Sequence, residues 1–132
     1  MIRKWRLGRD SKGAAAIEMA LALPILLELL WIVFQGGLIF RAMSGIQHAL
    51  GEGARYATLY PQPTNTQIRT KIEDAVYGIG PGNFTISAPV AGTADGANYL
   101  DLQVSYTQET NLLLLPGPTI TVSRSKRVWV SS

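Results

Sequence analysis

The sequence has no cysteine and a single histidine, His48. Without thiols there is neither a disulfide framework nor a thiolate metal site, and a disulfide-free chain tolerates either redox environment, so the compartment must be read from other features. One imidazole is also the only histidine base available to nucleophilic catalysis. No serine stands beside a group that would activate it, and no set of side chains converges on acid/base chemistry, so the expectation is a non-enzyme. The main body of the chain also lacks excess positive charge. The net charge of +3 belongs to the front, where Arg3, Lys4, Arg6, Arg9 and Lys12 face Asp10 alone. From Ala14 onward seven Lys and Arg meet eight Asp and Glu, a net of −1. A slightly acidic body with scattered aromatics has no basic stripe for phosphate contacts, which excludes nucleic acid as a partner. The one glycine-rich stretch, GIGPG at 78–82, follows a helical pattern rather than a strand. It is turn chemistry and not a nucleotide loop, so no cofactor is expected.

The chain does have one long apolar run. Residues 14–40 read AAAIEMALALPILLELLWIVFQGGLIF, about 40 Å as a helix, where about 20 residues suffice to cross the hydrocarbon layer. A secretory signal would have an apolar stretch of roughly 7 to 15 residues before a small-x-small cleavage site. This run is longer and carries Glu18, Glu28 and Gln35. Basic residues before the span place the N-terminus in the cytoplasm and everything after Phe40 outside. The chain therefore divides into a basic leader at 1–13, a membrane half-helix at 14–40 and an extracytoplasmic domain at 41–132.

After the span, Met43, Ile46, Leu50, Ala54 and Ala57 keep helical spacing up to Pro61. The result is one long helix, half in lipid, bent near Gly36 and Gly37 and weakened at Gly45, Gly51 and Gly53 by up to about 1 kcal/mol each relative to alanine. A second helix is predicted from about Thr66, capped by Thr64, Asn65 or Thr66, with Ile68, Ile72, Ala75, Val76 and Ile79 on one face and its end at Gly78 to Gly82. Strands follow at 84–90, 99–110 and 119–130, with a turn at AGTADGAN and a bulge near Ser125 where the alternation slips. Leu100, Leu102, Val104 and Tyr106 form the buried face of the middle strand. The expected fold class is α+β: a membrane helix extending into a small domain with a second helix and a three-stranded antiparallel sheet.

Glu18 poses the chemical question, because a carboxylate at the head of a membrane span is penalised unless it is solvated or paired. The plain reading puts it at the membrane edge, in reach of water, a lipid headgroup, Lys12 or Arg9. Its position suggests more. Gly13 lies five residues earlier, in G-A-A-A-I-E. A cut after Gly13 would make Ala14 an N-terminus and Glu18 the fifth residue, so that a new ammonium and a carboxylate lie one helical turn apart. In a bundle each carboxylate could neutralise a neighbour's ammonium inside an apolar environment.

These residues carry a resemblance. The segment GAAAIEMALALPILLELL, Gly13 to Leu30, with GARYA at 53–57, resembles type IV prepilins and pseudopilins, and among them the TadE-like pseudopilins of the tight-adherence (Tad, Flp or type IVc) pilus machinery. The resemblance implies a pilin-like fold and cleavage between Gly13 and Ala14 by a membrane aspartyl prepilin peptidase. It also implies residence in the bacterial inner membrane and then the pilus or cell surface, and assembly with other Tad major and minor pilins on an ATP-driven platform, supporting adhesion or secretion. Met19 stands where related chains carry Tyr or Phe. The chain is longer than the major pilins, which points to a minor pilin.

Five other features have readings of their own. Glu28 and Gln35, seven residues apart on one helix face, form a polar seam that would contact a partner pilin's helix through a protonated Glu28, or would simply be tolerated. Pro24 lacks the donor for the Ala20 carbonyl and loosens the helix one turn before Glu28, as a passive kink or as a point where subunits slide during assembly. His48 and Glu52 have zinc spacing but no third ligand, and Asp95 with Asp101 reads as a turn rather than a calcium site, so no metal is expected. The run LLLL at 112–115 either folds back over the core or forms a subunit contact. The competing reading of the whole chain is an uncleaved, single-span anchored envelope protein whose outer domain binds a partner.

Overall fold

The structure, a computed structural model, describes residues 11–113 and 115–130. The leader residues 1–10, and Leu114 of the leucine run, lie outside them. Helix α1, Ser11–Ala57, is 47 residues long, about 70 Å at 1.5 Å per residue. It is a single helix through Pro24 and through Gly36 and Gly37. Its first part is apolar and bare: Ile17, Leu21, Ile25 and Val33 are each at least 64 % exposed. Its later part buries Ala42, Ile46, Ala49, Leu50, Ala54 and Ala57, a stripe at helical spacing that faces a core. The contrast follows packing, because the buried core of the domain lies against the second part.

Helix α2, Asn65–Ala75, starts with a capping box: Thr64 Oγ1 accepts from the Gln67 amide at 3.3 Å, and Gln67 Oε1 accepts from the Thr64 amide at 2.9 Å. Two of the orphan donors of the first turn are thereby satisfied. The helix ends at Ala75, earlier than the glycine cluster, because Val76 is extended with ψ 141°. Ile68 and Ile72 are buried against α1, while Ala75, Val76 and Ile79 pack at the margin.

The sheet has four strands rather than three: β1 Asn83–Ile86, β2 Val90–Ala94, β3 Ala97–Asn111 and β4 Pro116–Val130. All pairings are antiparallel and all involve β3. Since β4 follows β3 from Asn98 to Asn111, β1 and β2 share its other edge, one after the other. The sheet is thus three ribbons wide, with one outer ribbon broken at Ser87, Ala88 and Pro89. Pro89 has no amide to donate, and this separates β1 from a second strand, which lies in the expected turn region. The turn itself is Asp95–Gly96, both at positive φ (51° and 76°), the pair that a two-residue hairpin of the right twist demands. On β3, Leu100, Leu102, Val104, Tyr106 and Gln108 are buried, at a strict period of two. The bulge expected near Ser125 is absent there: Ser125 pairs regularly with Gln103. What breaks the apolar alternation is Arg124 and Lys126 at inward-facing positions of an edge strand, a common guard against edge pairing. The register instead shifts between Glu109↔Thr119 and Asn111↔Pro116, where β4 has one residue more than β3.

The core joins α1, α2 and the sheet, with Ile86, Val128 and the β3 residues facing Ile46, Leu50, Ile68 and Ile72. Gly45 turns out to be structural: a Cβ there would run into the backbone of Tyr77. The helix accepts the lower propensity of glycine in exchange for close approach of the chain after α2.

Candidate functional site

Gly13, Ala14 and Glu18 all lie exposed in the first turns of α1. Ala14 and Glu18 are one turn apart and therefore on one face. Glu18 makes no ion pair or side-chain hydrogen bond among the described residues. Met19, Leu21, Leu23 and Ile25 around and beyond it are exposed as well, so the polar group heads a long, bare apolar helix.

Pro24, Glu28 and Gln35 belong to a second cluster, which involves a residue the sequence reading passed over, Trp31. Glu28, Trp31 and Gln35 have the spacing i, i+3, i+7 and line one face of α1. The tip of the β3–β4 hairpin docks on that face. Gln35, 8 % exposed, uses its side-chain amide as a strand edge would: Nε2 donates to the Asn111 carbonyl, and Oε1 accepts from the Asn111 amide at 2.9 Å. Trp31 Nε1 donates to Asn111 Oδ1 at 2.8 Å and to the Asn111 carbonyl at 3.0 Å. Glu28 Oε2 accepts from the Leu113 amide at 3.0 Å, while its Oε1 is buried without a partner among the described residues. The seam, expected either to contact a partner pilin's helix or simply to be tolerated, holds a segment of the same chain.

The register shift on β4 makes this docking possible. An extra residue beside the strand end bends the ladder and re-aims the side chains that follow, and Thr110 Oγ1 locks the distortion by donating to the Pro118 carbonyl at 2.6 Å. Leu112 and Leu115 then close the turn on each other, amide to carbonyl in both directions, at 2.8 and 3.1 Å. The expectation that the leucines cap the core is corrected for those described: Leu112, Leu113 and Leu115 lie at the hairpin tip, far along α1 from the core, with Leu113 51 % and Leu115 64 % exposed. Pro24 borders the same place, and with Leu23, Leu27 and Ile32 it lines an apolar groove that the tip completes. Asn111 could have been found in the sequence only as a polar residue immediately before an apolar turn, and Trp31 only as the middle of the Glu28–Gln35 face.

The remaining candidates separate. His48 lies against the Tyr77 ring at 5.6 Å, whereas Glu52 pairs with Arg55 at 3.1 Å, so their zinc spacing is not used between them. No group of metal-ligating side chains occurs among the described residues. Asp101 is held by Arg127, opposite it in register, through two hydrogen bonds of 2.8 Å. Arg127 also lies over the Tyr99 ring at 3.9 Å, and Tyr99 meets Trp129 edge to face. Hydrogen bonding to the guanidinium lowers the Asp101 carboxyl below its ordinary value, and Arg127 is raised in turn. This outward-facing cluster braces the sheet and was not anticipated from sequence.

The part of the chain that carries both polar features of α1 is also the part that a family model matches. The family model described as TadE-like protein matches residues 13–55. This segment, about a third of the chain, is similar to that family. The match begins at Gly13, takes in Ala14, Glu18, Pro24, Glu28, Trp31 and Gln35, and stops two residues before α1 ends. The helix α2 and the sheet lie outside it. No curated protein and no solved structure matches the chain. The TadE-like helix is also long and apolar enough to cross a membrane, with a mean hydropathy of 2.2 and no burial over its most apolar window. Both findings fit a membrane-anchored protein.

Proposed function

We propose that the chain is a TadE-like minor pilin, or pseudopilin, made as an inner-membrane prepilin and incorporated into a Tad type IVc pilus or its base, where it primes assembly for adhesion or secretion. The observation that carries this reading is where the family match starts: at Gly13, with Glu18 five residues on, at the head of an exposed apolar helix. A prepilin peptidase cleaves between Gly13 and Ala14. The new α-ammonium of Ala14 sits at the positive end of the helix dipole and calls for a counter-ion. Glu18 of an adjacent pilin supplies it, because in an apolar bundle an isolated charge of either sign is penalised by several kcal/mol, and pairing relieves both. The partners are the peptidase, the other Tad major and minor pilins, the assembly platform and the inner membrane. The role is structural rather than catalytic.

Co-expression with a prepilin peptidase, followed by mass spectrometry of the N-terminus, tests the reading. A mature chain beginning at Ala14 is expected. A persistent Met1 would favour the uncleaved, single-span anchor instead.

A further inference from the structure

We infer that the tip of the β3–β4 hairpin inserts into the lipid leaflet on the side of the α+β domain, placing Leu112, Leu113 and Leu115 among phospholipid acyl chains while Glu28, Trp31 and Gln35 hold it against α1. The inference rests on the reading of α1 as a membrane span. If the hydrocarbon layer begins near Ala14, about 20 residues carry α1 across it to the neighbourhood of Phe34 and Gln35. Asn111 docks at Gln35, the level of that boundary, and Leu113 docks at Glu28, seven residues or about 10 Å deeper. The tip thus reaches the depth at which α1 itself faces lipid.

The chemistry of the tip suits that depth. No Asp, Glu, Lys or Arg occurs from Thr110 to Ser123, so nothing charged is carried in. The backbone groups that a loop would leave bare, which hydrocarbon does not tolerate, are largely paired. Leu112 and Leu115 bond each other, Leu113 donates to Glu28, and Asn111 bonds Gln35 and Trp31. The exposed faces of Leu113 and Leu115 continue the bare surface of Leu23, Leu27 and Ile32, so one apolar surface is shared by helix and hairpin. The first charges along the strands, Glu109 and Arg124, stand outside this zone. Lipid accounts for all of these features together. A water-exposed loop would have no use for a carboxylate as its backbone acceptor in the middle of an apolar helix.

The absence of cysteine makes the test direct. The full chain is reconstituted in phosphatidylethanolamine/phosphatidylglycerol vesicles with the single substitutions Leu113→Cys, Leu115→Cys, Leu30→Cys or Thr85→Cys, each labelled with an environment-sensitive fluorophore. Quenching by doxyl lipids and by aqueous iodide is then compared. Quenching by doxyl lipid at 113 and 115 that approaches that at 30 and is several-fold stronger than at 85, with loss of iodide quenching, is expected. Tip probes that are iodide-accessible and unquenched by lipid, while residue 30 is quenched, would overturn the insertion and leave the membrane span intact. Lack of quenching at residue 30 would overturn the span, and the insertion with it. Tip burial that disappears as protein is diluted in lipid would assign the leucines to a second copy of the chain and so refute the lipid contact. Two tip positions guard against a single label that disturbs the turn.

Discussion

Replacing Gln35 with leucine isolates the docking of the hairpin from the stability of the domain. The side-chain amide makes two hydrogen bonds to the Asn111 backbone, one from Nε2 and one to Oε1. Gln35→Leu preserves the helix and the apolar bulk, but it leaves the Asn111 amide without its acceptor, whereas the carbonyl keeps Trp31 as donor. A net hydrogen bond contributes about 0.5–1.5 kcal/mol, and a fully buried stranded donor costs about 1–3 kcal/mol, an upper bound for the part-buried Asn111 amide. Polar contacts between membrane segments average nearer 0.6 kcal/mol. Together these place the loss at about 1–3 kcal/mol, or about 5- to 150-fold in the docking equilibrium. The core is formed by Ala42 to Ala57 of α1 with α2 and the middle of β3, so the loss should stay local. Amide hydrogen exchange in nanodiscs is the assay: the Asn111 and Leu113 amides should exchange faster by that factor, while those of Leu102 and Val104 keep their protection. Glu28→Leu should act on Leu113 first, and because both substitutions loosen one tip, their effects should not add. Unchanged exchange at 111–113 would refute the docking, and equal acceleration at Leu102 and Val104 would refute its independence from the core.

Glu18→Ala should leave cleavage after Gly13 intact and abolish recovery of the chain in a purified pilin complex; undiminished recovery would remove the counter-ion role. Gly45→Ala should lower the thermal midpoint by the equivalent of about 1–3 kcal/mol, because the new methyl meets the Tyr77 backbone and overpacks the interface. Gly51→Ala, which faces open space, should raise it by up to about 1 kcal/mol; the two melting curves read out the contrast. Asp101 has a folded-state pKa lowered from 3.8 by its Arg127 hydrogen bonds, so its contribution is complete above that value and is lost as pH falls through the lower folded one. A melting series in acid should therefore show Asp101→Asn flattening the fall in stability below about pH 4.

The sequence disclosed what depends on local periodicity. The apolar run, the α2 face and cap, and the alternation of β3 follow from spacings of 3.6 and 2 that any reader can count. Its failures have physical causes. The strand expected at 84–90 stops at Ile86, and a second strand runs into the expected turn, because Pro89 interrupts the ladder while β3 still offers its edge to Val90–Ala94. Arg124 and Lys126 looked like a slipped alternation because an edge strand can keep charges on its inner face. The core stripe runs through Ala42, with Met43 only partly buried, since near a close approach the smaller residue packs inward. The docking of Asn111 on Gln35 and Trp31 joins residues 76 and 80 positions apart. No periodicity encodes a contact at that separation; only the polar interruptions in α1 marked the face where a partner was needed.

Those interruptions divide into two kinds, and the division bears on how the helix could pack in a pilus. Glu28, Trp31 and Gln35 are bonded within the chain, whereas Glu18 is exposed and makes no ion pair among the described residues. Ten residues separate Glu18 from Glu28, which at 3.6 residues per turn sets the two side chains about 80° apart around α1. The hairpin therefore covers one face of the helix and leaves the Glu18 face open to a neighbour. On the pilin reading, neighbouring helices would approach from the Glu18 side while the tip stays docked, and pairing at Ala14 and Glu18 would require no undocking. A disulfide placed across the Gln35–Asn111 contact decides this. Formed before assembly, the Gln35→Cys/Asn111→Cys link should leave incorporation into the pilin complex unchanged. A linked chain that is cleaved but excluded, and that regains entry on reduction, would show that neighbours need the face the hairpin occupies.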